Sequence, residues 1–334
     1  MKHLSRAATG RWLQSRLAVL AACLALSVPC AAARAQTPAP ATPALPFVLK
    51  QIGPGVYAAI DGPEGRAGSN AGVVIGDDGV LVVDSFFDPD AAKALLGEIR
   101  KLTPKPVRYV VNTHYHIDHV AGDAVFRDAG AIIVAHRNVR GWLRTENIHL
   151  FGDAITPARR ELVEHLALPD LVTDKDLTIW LGTRRVEVRT VLGHTGGDLA
   201  IAVPDAKVLF CGDILWRRVS PNIIDGTVSQ WIATAAAFQQ LPDASTTTFV
   251  PGHGDLATVA DVADFKAYLA DLSSLTANER RAGLQGEALV AAVLPLLKAR
   301  DGDWEGFDRV APREIRFMDA ELAGTKRVPV PAAD

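Results

Sequence analysis

Six residues, His114-Tyr115-His116-Ile117-Asp118-His119, restrict what this chain can fold into more than any other stretch. Three of the chain's nine histidines fall inside them, with a carboxylate between. The run follows residues 107–111, an apolar, β-branched segment that reads as a strand. It therefore belongs on a strand-end loop, where functional side chains are usually presented. Imidazole nitrogen and carboxylate oxygen are the borderline donors that suit zinc. Spacing this close does not easily serve one tetrahedral ion and is better suited to ligands divided between two adjacent ions.

Three later positions complete the donor count. His194 lies in Gly193-His194-Thr195-Gly196-Gly197-Asp198, after a predicted strand at 186–191. Asp213 lies in Cys211-Gly212-Asp213, after a predicted strand at 208–211, and His253 in Pro251-Gly252-His253-Gly254-Asp255, after 248–250. Each is a metal-ligand residue type at a strand end beside glycine, which lets the backbone turn sharply and pack closely. Alternation along 208–211 would send Cys211 to the same side as Asp213. The alternative for Cys211 is a small buried hydrophobe.

The rest of the chain alternates strands and helices. Strands are predicted at 56–60, 71–75, 80–83, 131–135, 177–180 and 199–203, with a hairpin turn at 204–207. Helical spacing marks 89–102, where Ala92, Leu95, Leu96 and Ile99 share a face, then a helix after His119, 138–144 and 228–241. Beyond Thr258 the chain reads as helical to about Leu322. Strands mixed with helices in two broadly similar halves indicate an α+β fold of two packed sheets with helices outside.

These motifs resemble those of the metallo-β-lactamase superfamily over residues 56–255. The resemblance rests on Asp84 after a strand, the His-x-His-x-Asp-His run, and the turns at His194, Asp213 and His253. It implies a four-layer αβ/βα sandwich with metals at one edge, here followed by a helical C-terminal extension. It also implies that His114, His116 and His194 hold one zinc ion, that Asp118, His119 and His253 hold the second, and that Asp213 bridges both. Asp84 would orient a ligand imidazole through a hydrogen bond; a plain strand-end cap is the alternative. The implied activity is that of a dinuclear zinc metallo-hydrolase, in which a metal-bridging hydroxide attacks a small ester, thioester or lactam and Asp118 takes or relays a proton.

Individual residues separate the branches. His116 stands where flavodiiron oxygen reductases have glutamate. Asp213, His119 and Trp216 stand where one β-lactamase branch has Cys, Arg and Lys, and a second branch usually lacks an acidic ligand at the fourth motif. The pattern is closer to the glyoxalase II thioesterases. Residues 219–227, Val-Ser-Pro-Asn-Ile-Ile-Asp-Gly-Thr, also resemble exported hydrolases found near quinoprotein dehydrogenases. A β-lactamase proper and a non-catalytic periplasmic zinc-binding module remain as alternatives.

The N-terminus reads as a targeting segment. Lys2, Arg6, Arg11 and Arg16 precede a short apolar run, and Ala33-Arg34-Ala35 fits a small-x-small cleavage site. An uncleaved anchor and a lipoprotein box at residues 20–23 are the competing readings. The expected organisation is a signal peptide at 1–35, a flexible Ala/Pro/Thr-rich linker at 36–46, a catalytic domain at 47–257 and helices at 258–334. Cleavage would remove five of the 35 basic residues and none of the 38 acidic ones, leaving a net charge of −8. That argues against nucleic acid as a substrate and for a small molecule handled in the periplasm or outside the cell, without stable membrane insertion. It would also leave Cys211 as the sole cysteine, so no internal disulfide could staple the fold.

Three stretches are candidates for shaping a pocket. Residues 61–72 are Gly-rich and could be a mobile flap or a long hairpin loop. Residues 142–176, with Trp142, His149, Phe151 and His165, could form a lid or an ordinary helical connection. Arg217 and Arg218 could anchor an acidic substrate or be surface charge.

Overall fold

A computed structural model of the chain describes residues 44–331. The expected signal peptide, linker residues 36–43 and residues 332–334 lie outside the described residues. Seven strands form one sheet in sequence order: β1 (Phe47–Gly53), β2 (Val56–Asp61), β3 (Ala71–Ile75), β4 (Val80–Val83), β5 (Val107–Val111), β6 (Ile132–His136) and β7 (Leu171–Thr173). Five form a second sheet, again in sequence order across it: β8 (Leu177–Leu181), β9 (Arg184–Val191), β10 (Asp198–Val203), β11 (Val208–Trp216) and β12 (Thr248–His253).

Helices α1 (Pro89–Leu102), α2 (Ile117–Val120) and α3 (Asp123–Asp128) accompany the first half. Next come α4 (Arg137–Trp142), α5 (Thr145–Phe151) and α6 (Pro157–Glu164). The second half carries α7 (Val228–Gln239), α8 (Val259–Arg281), α9 (Gly286–Asp301) and α10 (Phe307–Leu322).

Strand alternation builds the layers. Leu81 and Val83 face the space between the sheets, where they meet Val188, Leu199, Ile201 and Phe210 of the second sheet. Val80 and Val82, one residue out of phase, pack with Ala92, Leu95 and Ile99 of α1 and Phe126 of α3. On the far side, Ala200, Leu209 and Cys211 pack with Trp231 and Phe238 of α7 and with apolar residues of α8, α9 and α10. The result is the helix, sheet, sheet, helix sandwich that the α+β reading implied. The C-terminal helices share one continuous core with the second sheet.

Pairing direction decides where the loops meet. β4 and β5 run parallel, as do β5 and β6, and β11 and β12. Parallel neighbours end at the same sheet edge, so the residues after β4 and β5 lie side by side, as do the last residues of β11 and β12. The Leu199 amide of β10 donates to the Thr113 carbonyl at 2.7 Å and ties the two sheets together at that edge.

The structure departs from the sequence reading in local ways. β1 forms a full strand against β2, at the start of the expected catalytic domain, where the sequence reading marked no strand. Residues 142–176 pack as a supporting layer: Trp142, Leu143, Val163 and Leu166 bury Tyr115, Ile117 and Val120 behind the histidine run. Residues 67–72 are pinned in place. The Asn70 amide and side chain donate to Gly252, Pro251 and Gly254 carbonyls at 2.8–2.9 Å, and Ser69 Oγ donates to the Asp118 carbonyl at 2.6 Å.

Candidate metal centre

Asp84 follows β4 with φ +57°. β5 leads through Asn112 and Thr113 to His114, and His116 caps α2, whose single turn carries Asp118 and His119. Those two residues are therefore helical, where the sequence suggested a loop. His194 sits in the turn between β9 and β10. Asp213 lies within β11 and His253 ends β12, because both strands run farther than their apolar stretches predict.

Gly212 explains how Asp213 leaves the core. It has φ +51°, which costs a glycine little, and the β11–β12 register is irregular on both sides of it. Alternation fails there. Cys211 remains in the hydrophobic core with its Sγ near the Leu209 carbonyl, and burial pushes its thiol up. The same-side expectation for Cys211 is thus corrected. Arg217 and Arg218 pair with Asp261 and Asp303 of the C-terminal region. His149 and His165 stand outside the donor groups.

All seven residues singled out from the sequence come together. Donor atoms of His114, His116, His194 and Asp213 lie within 4.8 Å of one another, as do those of Asp118, His119 and His253. Asp213 faces both groups. Its Oδ2 is 3.2 Å from His194 Nε2 and 3.8 Å from His114 Nε2; its Oδ1 is 3.1 Å from His119 Nε2 and 3.5 Å from His253 Nε2. Asp118 Oδ2 reaches His253 Nε2 at 3.3 Å and His119 Nε2 at 3.6 Å.

Hydrogen bonds aim these imidazoles. Asp84 accepts the Thr113 amide at 2.7 Å, the Thr113 hydroxyl at 2.8 Å and His119 Nδ1–H at 2.9 Å. With its proton committed to Asp84, the Thr113 oxygen can only accept at His114 Nδ1, 3.0 Å away. Both imidazoles then turn an Nε2 lone pair toward the cluster. Trp216 stacks on His253 with centroids 4.0 Å apart and donates its indole N–H to the Asp213 carbonyl.

The cluster fits a metal by its own chemistry. His114 Nε2, His119 Nε2, His253 Nε2 and Asp213 Oδ1 are buried atoms without a hydrogen-bond partner, and burying such groups unpaired is costly. Their nitrogen and oxygen donors suit a borderline dication. Burial depresses His114 well below the usual histidine range and His194 to about 3. At His253 burial works downward, but Asp213 and Asp118 outweigh it and raise the group to about 9; at His119 burial is likewise outweighed by Asp213, Asp118 and Asp84, which hold it well above the usual histidine range. Burial disfavours the Asp213 carboxylate, yet the four surrounding imidazoles hold it well below its ordinary range. A cavity of about 380 Å³ opens beside His253, between Lys50, Asp61, Asn70, Val219 and Glu305.

Two parts of the site escaped the sequence reading. One is the Ser69–Asn70 clasp across the loops of Asp118 and His253; only the small polar pair closing the Gly-rich stretch marks it. The other is Asp225, whose Oδ2 lies 3.3 Å from His116 Nε2; its only signal was its place in residues 219–227.

Comparison with known proteins agrees with this geometry. The family model of the metallo-beta-lactamase superfamily matches residues 65–253. A hydroxyacylglutathione hydrolase of Synechococcus sp. is 26% identical over 163 residues, which cover 48% of this chain and 55% of that protein. This chain thus spans little more than half the length of that relative. A hydroxyacylglutathione hydrolase of Brucella anthropi is 24% identical over 238 residues, covering 70% of this chain and 82% of its own. The solved metallo-beta-lactamase from Pontibacter korlensis superposes with TM-score 0.55 at 22% identity, covering 67% of this chain and 99% of that one.

Proposed function

Because the chain belongs to the metallo-beta-lactamase superfamily, we propose that it is an exported dinuclear zinc hydrolase that cleaves a small ester, thioester or lactam. The observation that carries this reading is Asp213, with one carboxylate oxygen turned to each half of a cluster of unpartnered imidazole nitrogens. In this reading His114, His116 and His194 hold one ion, Asp118, His119 and His253 the other, and Asp213 both. Bound dications would supply Lewis acidity, lowering the pKa of water and polarising a carbonyl oxygen.

The remaining work falls to the chain. The Asp118 side chain is 29% exposed, whereas those of His119 and Asp213 are buried, so it is a donor that solvent and substrate can reach. Burial disfavours its charge, but His119 and His253 hold it ionised, at about 2. As a carboxylate it orients the attacking water by accepting its hydrogen bond. The cavity beside His253 leaves room for the substrate. Cys211, deep in the core, takes no part as a nucleophile. Similarity to hydroxyacylglutathione hydrolases supports a reading in which the substrate is a thioester.

The test is metal analysis of reconstituted protein beside turnover of an ester, thioester and lactam panel, with and without chelator. About two zinc ions and chelator-sensitive turnover are expected. Bound metal without turnover of any class would instead indicate a binding module. Export rests on residues 1–35: N-terminal sequencing of protein from its native host should begin near Gln36, and a retained Met1 overturns it.

A further inference from the structure

Asp225 is only 4% exposed and lies outside both donor groups. Its Oδ2 accepts the hydroxyl of Tyr115, itself fully buried, and lies 3.3 Å from His116 Nε2. The other ring nitrogen of His116, Nδ1, points inward, 2.9 Å from His194 Nε2. His116 is thus held between a carboxylate behind it and the cluster in front.

Resting on the dinuclear reading above, we propose that Asp225 is the positioning residue of the His114, His116 and His194 half: it accepts His116 Nε2–H and thereby presents the Nδ1 lone pair to the metal. The reason is elementary. A neutral imidazole has one donor and one acceptor nitrogen, and an ionised carboxylate can only accept. Whichever nitrogen faces Asp225 carries the proton. His116 therefore binds through Nδ1, whereas His114 and His119 turn Nε2 toward the cluster.

The loop that carries Asp225 is built for the task. The Thr227 amide donates to the Gly193 carbonyl at 2.8 Å, so the loop rests on the turn that bears His194. A Cβ on Gly226 would lie 2.8 Å from that same carbonyl, which shows how closely the two backbones approach. From the other side, Lys326 Nζ donates to the Gly226 carbonyl at 2.5 Å and pairs with Glu321 at 3.0 Å. The C-terminal segment thus clamps the loop against the first half of the cluster. Asp84 contacts His119 directly in the other half and reaches His114 only through Thr113. Loss of Asp225 should therefore be felt by one ion rather than by both.

The experiment compares wild type and Asp225→Asn by zinc titration against a chromophoric chelator, by Co²⁺ absorption, and by thermal unfolding of the metal-free protein. Asparagine keeps the shape but is neutral, and it offers a donor as readily as an acceptor. One zinc equivalent should weaken by ~10–100-fold while the other holds, and the Co²⁺ absorption of the weakened site should change. Two equivalents that both bind as in wild type overturn the proposal. So does equal weakening of both with a lowered metal-free midpoint, which marks a merely structural residue. A second measurement does not depend on how the variant folds: nitrogen-15 NMR of His116 in zinc-loaded wild type should show Nε2 protonated and Nδ1 ligating, and the reverse overturns the assignment. Wild-type protein that binds no zinc overturns the dinuclear reading and this assignment with it.

Discussion

Replacing Gly252 by alanine should disable the second half of the cluster with a single methyl group. A Cβ at that position would lie 1.8 Å from Asp213 Oδ1, 3.0 Å from Asp213 Cγ and 2.9 Å from the Gly212 carbonyl carbon. Non-bonded heavy atoms settle near 3.5 Å, so something must move by about 1.7 Å. Gly252 lies in β12, which is paired with β11 and buried on the core, so the strand resists displacement. The Asp213 side chain is what must yield, and its Oδ1 faces His119 at 3.1 Å and His253 at 3.5 Å. Turning that oxygen away withdraws it from the Asp118, His119 and His253 side, and Oδ2, joined rigidly to the same carbon, shifts with it against His194 and His114.

Overpacking of this kind costs about 1–3 kcal/mol of stability. In the dinuclear zinc reading, the displaced Asp213 carboxylate should weaken at least one zinc equivalent by ~10–100-fold, by analogy with other altered metal surroundings. Dialysis against graded chelator followed by metal analysis reads the second effect, and thermal unfolding of the metal-free protein reads the first. A variant that keeps two tightly held ions and an unchanged midpoint would refute the claim that β12 backbone positions Asp213.

Asp213→Asn should keep the fold but bind one zinc equivalent ~10–100-fold more weakly and lose most hydrolysis, with partial recovery on added zinc; full activity with full zinc would reduce Asp213 to a turn residue. Zinc in excess should raise the unfolding midpoint of the chelator-treated protein, by the equivalent of about 2.7 kcal/mol per ion at a hundredfold excess over Kd, and a midpoint indifferent to zinc counts against a folded-state site. Glu314 is buried beside Tyr268, and burial raises its carboxyl to about 8 from an ordinary 4.5. A raised folded-state pKa means that its contribution is fully present below about pH 4.5 and is lost as pH rises through 8, at about 1.4 kcal/mol per unit between them. Glu314→Gln should flatten that part of the stability profile, and an unchanged profile by denaturant titration at pH 5, 7 and 9 would contradict the assignment.

Much of this molecule is legible in the chain because the signals are local. The β-branched runs that become β4, β5 and β10, and the helical face of Ala92, Leu95, Leu96 and Ile99, follow from side-chain periodicity alone. The donor set was equally visible, since His114, His116, Asp118 and His119 crowd one turn and the other three sit beside glycines. Residue type and spacing therefore marked out both the likeness to a fold family and the positions worth watching.

Tertiary structure alone decided how those positions meet. Parallel pairing of β4 with β5 and of β11 with β12 brings distant loops to one edge, and no property of either loop encodes that partnership. Gly212 at φ +51° breaks the alternation that would have turned Cys211 toward the cluster, and periodicity cannot foresee a bulge set by a neighbouring strand. Arg217, read as a substrate anchor or surface charge, pairs with Asp261; Asp225, noticed only as part of residues 219–227, lies against His116, 109 positions away. Local sequence carries propensity and donor chemistry; a contact between residues far apart exists only once the whole core has packed.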